Sequence, residues 1–262
     1  MHSHGHHHGH DVGERLYIHR HSITHSLPAH VKIAAVLGFI CVSVATPIQR
    51  WPAFIAFFAL IVIAAFVSKI PLPLLFKRSL IEIPFVLFAI LMPFFGHGEK
   101  YELFGASLYR EGLLAGLSIV VKGTLGVLAA VILSTTTTAR ELLHGLQRLK
   151  LPSVMVQIAS FMLRYVNVIS DEMERMKIAR ESRGFEATGI KHWKVLATAA
   201  AALFIRSYER GERVHLAMLS RGFEGELPSL SKHDVTLREW SYGFLIPILA
   251  LTISLLLLII GW

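Results

Sequence analysis

Residues 113–134 read LLAGLSIVVKGTLGVLAAVILS, a run of 22 residues broken by one charge, Lys122. A helix rises 1.5 Å per residue and needs about 20 apolar residues to cross a bilayer core, so this stretch has the length of a membrane span. Outward from it lie four more apolar runs, at 31–48, 52–67, 80–95 and 242–262. The runs at 52–67 and 80–95 are short and flanked by proline, which suits helices packed against others rather than standing alone in lipid. Composition points the same way: charged residues make up 17% of the chain, against roughly 25% in ordinary soluble domains. The fold expected is all-α, a polytopic membrane protein with about five transmembrane helices.

Positive charge orients the set. Arg15, Arg20 and Lys32 mark the start of the first run, and Lys69, Lys77 and Arg78 lie between the second and third. Between the first two runs stands only Arg50, and the loop at 96–111 balances Lys100 and Arg110 against Glu99, Glu102 and Glu111. The N-terminus is therefore expected inside and the C-terminus outside. The first run reads as a retained span rather than a cleaved signal. A single cysteine, Cys41, leaves no internal disulfide framework and no cysteine-based zinc cage. The net charge of +8 does not by itself imply nucleic acid, and no such partner is expected.

Residues 138–238 differ from the rest. They hold 16 of the 26 Lys and Arg residues and 11 of the 18 acids, so following the fourth span they read as cytoplasmic. The expected organisation is a histidine-rich segment at 1–30, four spans at 31–134, a cytoplasmic coupling module at 135–238 and a last span at 239–262. Within the module a short helix at 138–149 has Thr138 as its N-cap and stops before Pro152. Two long helices follow, at 153–183 and 192–221. Each begins apolar and ends charged, and Asp171–Arg175, Lys177–Glu181 and Glu209–Arg213 are i,i+4 pairs. Their apolar cores, at 154–163 and 195–205, are interrupted by Arg164 and Arg206. Both read as half-buried amphipathic helices rather than spans.

An internal repeat is the strongest functional signal. Residues 174–186 read ERMKIARESRGFE and residues 212–224 read ERVHLAMLSRGFE, 38 residues apart. Gly184 and Gly222 suit the left-handed position that stops a helix, and Arg183 and Arg221 complement the negative end of its dipole. Capping does not require the serine before the arginine, nor the Phe-Glu after the glycine. Repetition of the whole frame suggests two similar ends fitted to two similar receptors. Arginine's planar fork suits bidentate pairing with a carboxylate in such a socket.

These residues, with PAHVK at 28–32, STTTTARELLHGLQRLKLP at 134–152 and FMLRYVNVISDEMERMKIARESRG at 161–184, carry a family resemblance. The chain resembles the transmembrane (T) component of energy-coupling factor transporters, ABC-type importers, and within them the CbiQ-type cobalt/nickel branch. The resemblance implies that Ser182-Arg183-Gly184 and Ser220-Arg221-Gly222 dock into two cytoplasmic ABC-type ATPases. Many members have alanine where this chain has serine at 182 and 220. It further implies a substrate-binding membrane subunit, room for a small accessory membrane subunit, and a place in the bacterial plasma membrane. Cobalt or nickel would be the transported ion, ATP would bind the partners, and no cofactor would be bound by this chain.

The tract MHSHGHHHGH puts His2, His4, His6, His7, His8 and His10 together, and ten of the 15 histidines fall in the first 30 residues. Imidazole binds several transition metals alike, so the tract says metal without saying which; glycine spacing makes it a flexible chelator, and an expression tag is the plain alternative. Lys122 and Glu82 are ionisable residues within expected spans, and so functional candidates. The chain has no nucleotide-binding loop, zincin motif or nucleophile elbow, and it is not expected to be an enzyme. A T component of a vitamin importer and a stand-alone secondary metal transporter are the alternatives; a membrane-embedded metalloenzyme lacks ligands.

Overall fold

The computed structural model describes residues 17, 22–95, 100–103, 106–185, 192–225 and 236–260. After a single turn, α1 (Ile23–Ser26), come α2 (Ala29–Ala45), α3 (Trp51–Val67) and α4 (Leu72–Ser79). A 3-10 turn (Leu80–Glu82) leads into α5 (Ile83–Phe95), then a hairpin of β1 (Lys100–Leu103) and β2 (Ala106–Tyr109). The chain continues through α6 (Arg110–Thr136), α7 (Ala139–Arg148), α8 (Ser153–Glu181), α9 (Trp193–Leu219) and α10 (Leu237–Ile259). Among the described residues the fold is thus helical, save for the antiparallel hairpin that pairs Lys100 with Tyr109 and Leu103 with Ala106. That hairpin occupies the loop expected at 96–111.

Local sequence explains the boundaries. Proline opens or flanks α2, α3, α4 and α8, where its missing N–H costs no helical bond. Thr138 caps α7 as expected: its backbone N–H donates to Glu141 Oε2 at 3.0 Å, and Glu141 N–H donates to Thr138 Oγ1 at 3.3 Å. The same reciprocal box, Thr236 with Glu239, starts α10. The threonines ending α6 bond back to its own carbonyls, Thr135 Oγ1 to Val131 O at 2.9 Å and Thr136 Oγ1 to Ile132 O at 2.8 Å.

The chain divides into two compact units, one of residues 16–145 with 233–262, the other of 1–15 with 146–232. In the first, α6 is the central helix, packing against α2, α3, α4 and α5, while α10 closes against α2 and α3. Phe39, Phe54, Phe57, Ile61 and Leu125 form its core, with Phe57 edge-on to both Phe39 and Phe54. Close approach of α5 to α6 depends on absent side chains. A Cβ at Gly112 or Gly116 would lie 2.5 Å from the carbonyl oxygen of Met92 or Ala89. This Gly-xxx-Gly spacing is a common means of close helix contact in membranes.

Among the described residues three helices are long and apolar enough to cross a membrane, α6, α8 and α10; α2 and α3 are apolar but 17 residues each. The third expected span, 80–95, begins with the 3-10 turn and continues as α5, 13 residues long. By length and composition α8 qualifies as well, against the expectation of a half-buried amphipathic helix. One arginine, Arg164, interrupts the run from 153 to 170, and a single charge does not disqualify a window of span length.

Candidate functional site

The two long helices end alike. At the first end Ser182 N–H donates to Ile178 O at 2.9 Å, Gly184 N–H to Glu181 O at 2.9 Å and Phe185 N–H to Arg180 O at 3.2 Å. At the second, Ser220 N–H donates to Leu216 O at 3.0 Å, Gly222 N–H to Leu219 O at 3.0 Å and Phe223 N–H to Met218 O at 3.1 Å. The serine hydroxyls add a matching bond, Ser182 Oγ to Ala179 O at 3.1 Å and Ser220 Oγ to Ala217 O at 3.0 Å. Both glycines are left-handed, with φ of +74° and +81°. The repeated sequence is a repeated geometry.

Two other helices close with the same backbone bonds but with lysine in the left-handed position. Lys69 (φ +55°) is followed by Ile70 N–H to Ala65 O at 3.0 Å, and Lys150 (φ +65°) by Leu151 N–H to Leu146 O at 3.1 Å. Helix closure in this chain therefore does not dictate Ser-Arg-Gly-Phe-Glu. Arg183 and Arg221 are exposed, and among the described residues neither guanidinium is held in an ion pair or hydrogen bond. Each is presented at the tip of a rigid helix with its fork open.

Three contacts set how α8 and α9 run. Phe185 packs edge-on to His192, with ring centroids 5.2 Å apart. Arg206 Nη1 donates to Glu172 Oε1 at 2.5 Å, and Gln157 Nε2 donates to Gly225 O at 2.6 Å. The partner's number rises along one helix as it falls along the other, so the pair is antiparallel. The two arginine tips consequently lie at opposite ends, about 40 Å apart from the helix lengths. A two-fold axis near Glu172 and Arg206 would exchange the helices and, with them, the tips. The Arg206–Glu172 pair carries no signal in the sequence, because its two residues lie 34 apart on different helices. Of the three i,i+4 pairs expected there, Lys177–Glu181 closes at 3.7 Å; Asp171–Arg175 and Glu209–Arg213 do not close.

Both helices leave apolar faces uncovered in their first halves. Val154, Met155, Ile158 and Met162 are exposed on α8, and Leu196, Phe204 and Ile205 on α9. A soluble monomer rarely shows so much contiguous apolar surface.

The other candidates fall elsewhere. Lys122 Nζ donates to Val44 O at 2.7 Å, at the end of α2. Glu82 is buried against the middle of α6, where Thr124 Oγ1 donates to its Oε1 at 3.1 Å. The structure does not bring the two into an ion pair; each serves as a packing partner of another helix. Gly123 makes room for that carboxylate, since a Cβ there would lie 2.6 Å from Oε1. The chelating tract of His2, His4, His6, His7, His8 and His10 lies outside the described residues. Among the described residues no three His, Cys, Asp or Glu side chains gather to hold a metal.

Comparison with known proteins agrees with this architecture. The CbiQ family, described as cobalt transport protein, matches residues 20–232. The chain is 36% identical over 149 residues to an uncharacterized protein of Methanocaldococcus jannaschii, spanning 55% of this chain and 54% of that one. It is 28% identical over 225 residues to the energy-coupling factor transporter transmembrane protein EcfT of Listeria innocua, covering 80% and 83% of the two. With the cobalt transport protein CbiQ of Rhodobacter capsulatus it shares 29% identity over 127 residues, 48% and 52% of the two. The first and third of these matches span about half of the relative's length. A match over most of the chain, together with its apolar helices, places it in a membrane, and the chain belongs to the CbiQ family of cobalt transport proteins, transmembrane components of energy-coupling factor transporters.

Proposed function

We propose that this chain is the energy-coupling subunit of a cobalt or nickel importer in the plasma membrane, moved by two cytoplasmic ATPase subunits gripping Arg183 and Arg221. One observation carries the reading: identical Ser-Arg-Gly-Phe tips, arginine forks open, at opposite ends of an antiparallel pair. A two-fold pair of ATPases would present two equivalent sockets, and the pseudo-symmetry of α8 and α9 matches that demand. With residues 135–238 as a coupling module on the cytoplasmic side, opening and closing of the ATPases would shift the two tips relative to each other. The exposed apolar faces of α8 and α9 would carry the shift to a substrate-binding membrane subunit. ATP hydrolysis would belong to the partners, because this chain has no phosphate-binding loop.

A second reading, a T component serving a vitamin-binding subunit, draws on the match to EcfT, which covers more of this chain than the match to CbiQ does. Uptake into cells co-expressing the chain with its ATPase and membrane partners separates the two readings, with cobalt(II), nickel(II) and vitamins offered in turn. In the same assay Arg183→Glu and Arg221→Glu are each expected to weaken co-purification of the ATPases. The double variant should abolish ATP-dependent uptake. Undiminished uptake by the double variant overturns the docking reading.

A further inference from the structure

The stretch PAHVK at 28–32 opens α2, and its residues touch three other helices in turn. The backbone of Ala29 and His30 faces α7 at Gly145, where a Cβ would lie 2.9 Å from His30 N and 3.0 Å from the carbonyl carbon of Ala29. The His30 ring packs edge-on to Trp240 of α10, centroids 5.8 Å apart. Val31 is fully buried and fills the space at Gly243 of α10, which a side chain there would contest. Lys32, only 8% exposed, sends its Nζ to Thr136 O at 2.8 Å, the carbonyl that ends α6. One turn of helix therefore binds the end of α6, the side of α7 and the start of α10.

Those three places share one property. The chain passes from α6 through Thr137 and Thr138 into α7, and α7 leads into α8; α10 begins where the chain returns after α9. The turn thus holds the end of α6, Gly145 of α7 and the first turns of α10, the elements that precede and follow α8 and α9 in the chain. A lysine is a costly thing to bury, and here it holds a carbonyl at the negative end of the α6 dipole. Glu141, which caps α7, acts electrostatically on the same ammonium. A hydrophobic residue would fill the space without grasping the helix end.

We infer that residues 28–32 form the clamp through which motion of α8 and α9 reaches the membrane helices, with Lys32 as its positioning residue. The inference rests on the energy-coupling function proposed above. A clamp of this kind transmits force without touching ATP or ion. Its loss should therefore leave hydrolysis running and stop it doing transport.

The test uses the complete complex in proteoliposomes, measuring ATP hydrolysis and cobalt(II) and nickel(II) uptake in the same preparation. Lys32→Met removes the cation at nearly constant volume, and Gly145→Val pushes α7 from the same turn. Each is expected to assemble with its partners and hydrolyse ATP at the wild-type rate. Uptake per ATP should fall by about tenfold, a coupling free energy of ordinary size. Uptake per ATP at the wild-type value in either assembled variant overturns the inference. So does a parallel fall of assembly, hydrolysis and uptake, which is the mark of a merely structural residue. The Arg183→Glu, Arg221→Glu double variant runs alongside. If it abolishes uptake while Lys32→Met does not, the clamp alone is wrong; if neither variant reduces uptake, the coupling function falls with it.

Discussion

Arg206 of α9 and Glu172 of α8 face each other across the middle of the long-helix pair, the guanidinium Nη1 donating to the carboxylate Oε1 at 2.5 Å. The contact lies near the middle of both helices, where a slip in register would misplace both ends. Its side chains are 59% and 24% exposed, and an ion pair so open to water is weak. A double-mutant cycle of Arg206→Ala with Glu172→Ala, followed by thermal unfolding in detergent, should give a coupling of about 0.2–1 kcal/mol that shrinks with added salt. A larger, salt-insensitive value would mean the pair is covered in solution.

The left-handed helix ends make paired predictions of opposite sign. Gly184→Ala and Gly222→Ala should each lower stability by about 1–2 kcal/mol, because a Cβ there strains the backbone while meeting no neighbour within 4 Å. Asparagine should cost less than alanine. At Lys150, already left-handed at φ +65°, substitution by glycine should relieve strain and raise the melting temperature. Equal effects of Ala and Asn at Gly184 would remove the backbone explanation.

Arginine at the tips is predicted to matter for its shape as well as its charge. Arg183→Lys with Arg221→Lys keeps both positive charges but loses the planar fork. The double lysine variant should retain the ATPases more weakly than wild type and better than the double glutamate variant, as read by co-purification across a salt series. Full retention by lysine would reduce the sockets to simple acidic patches.

The α5–α6 contact should fail on small enlargement. Gly116→Val places a branched side chain where even a Cβ lies 2.5 Å from Ala89 O, an overpacking expected to cost about 1–3 kcal/mol. Gly126, with open space around the same construction, should accept valine far more readily. Thermal unfolding of the two variants side by side checks both statements.

Much of this was legible in the residues themselves. Apolar runs marked the membrane helices because the bilayer's thickness dictates their length. Thr138 announced its cap, and the repeated ER-x3-A-x2-SRGFE frame announced two matching helix ends, since capping depends only on neighbours a few residues away. Other features depend on residues far apart in the chain. Nothing local to Arg206 names Glu172, and nothing local to PAHVK says that Gly145, Trp240 and the Thr136 carbonyl converge on it. A Gly-xxx-Gly at 112–116 could have signalled a close helix contact, though not with which helix. The sequence alone determined that this is a helical membrane protein with two equivalent arginine tips. Only the tertiary structure decided that α8 and α9 are antiparallel, with the tips at opposite ends, because direction and register come from packing between distant segments.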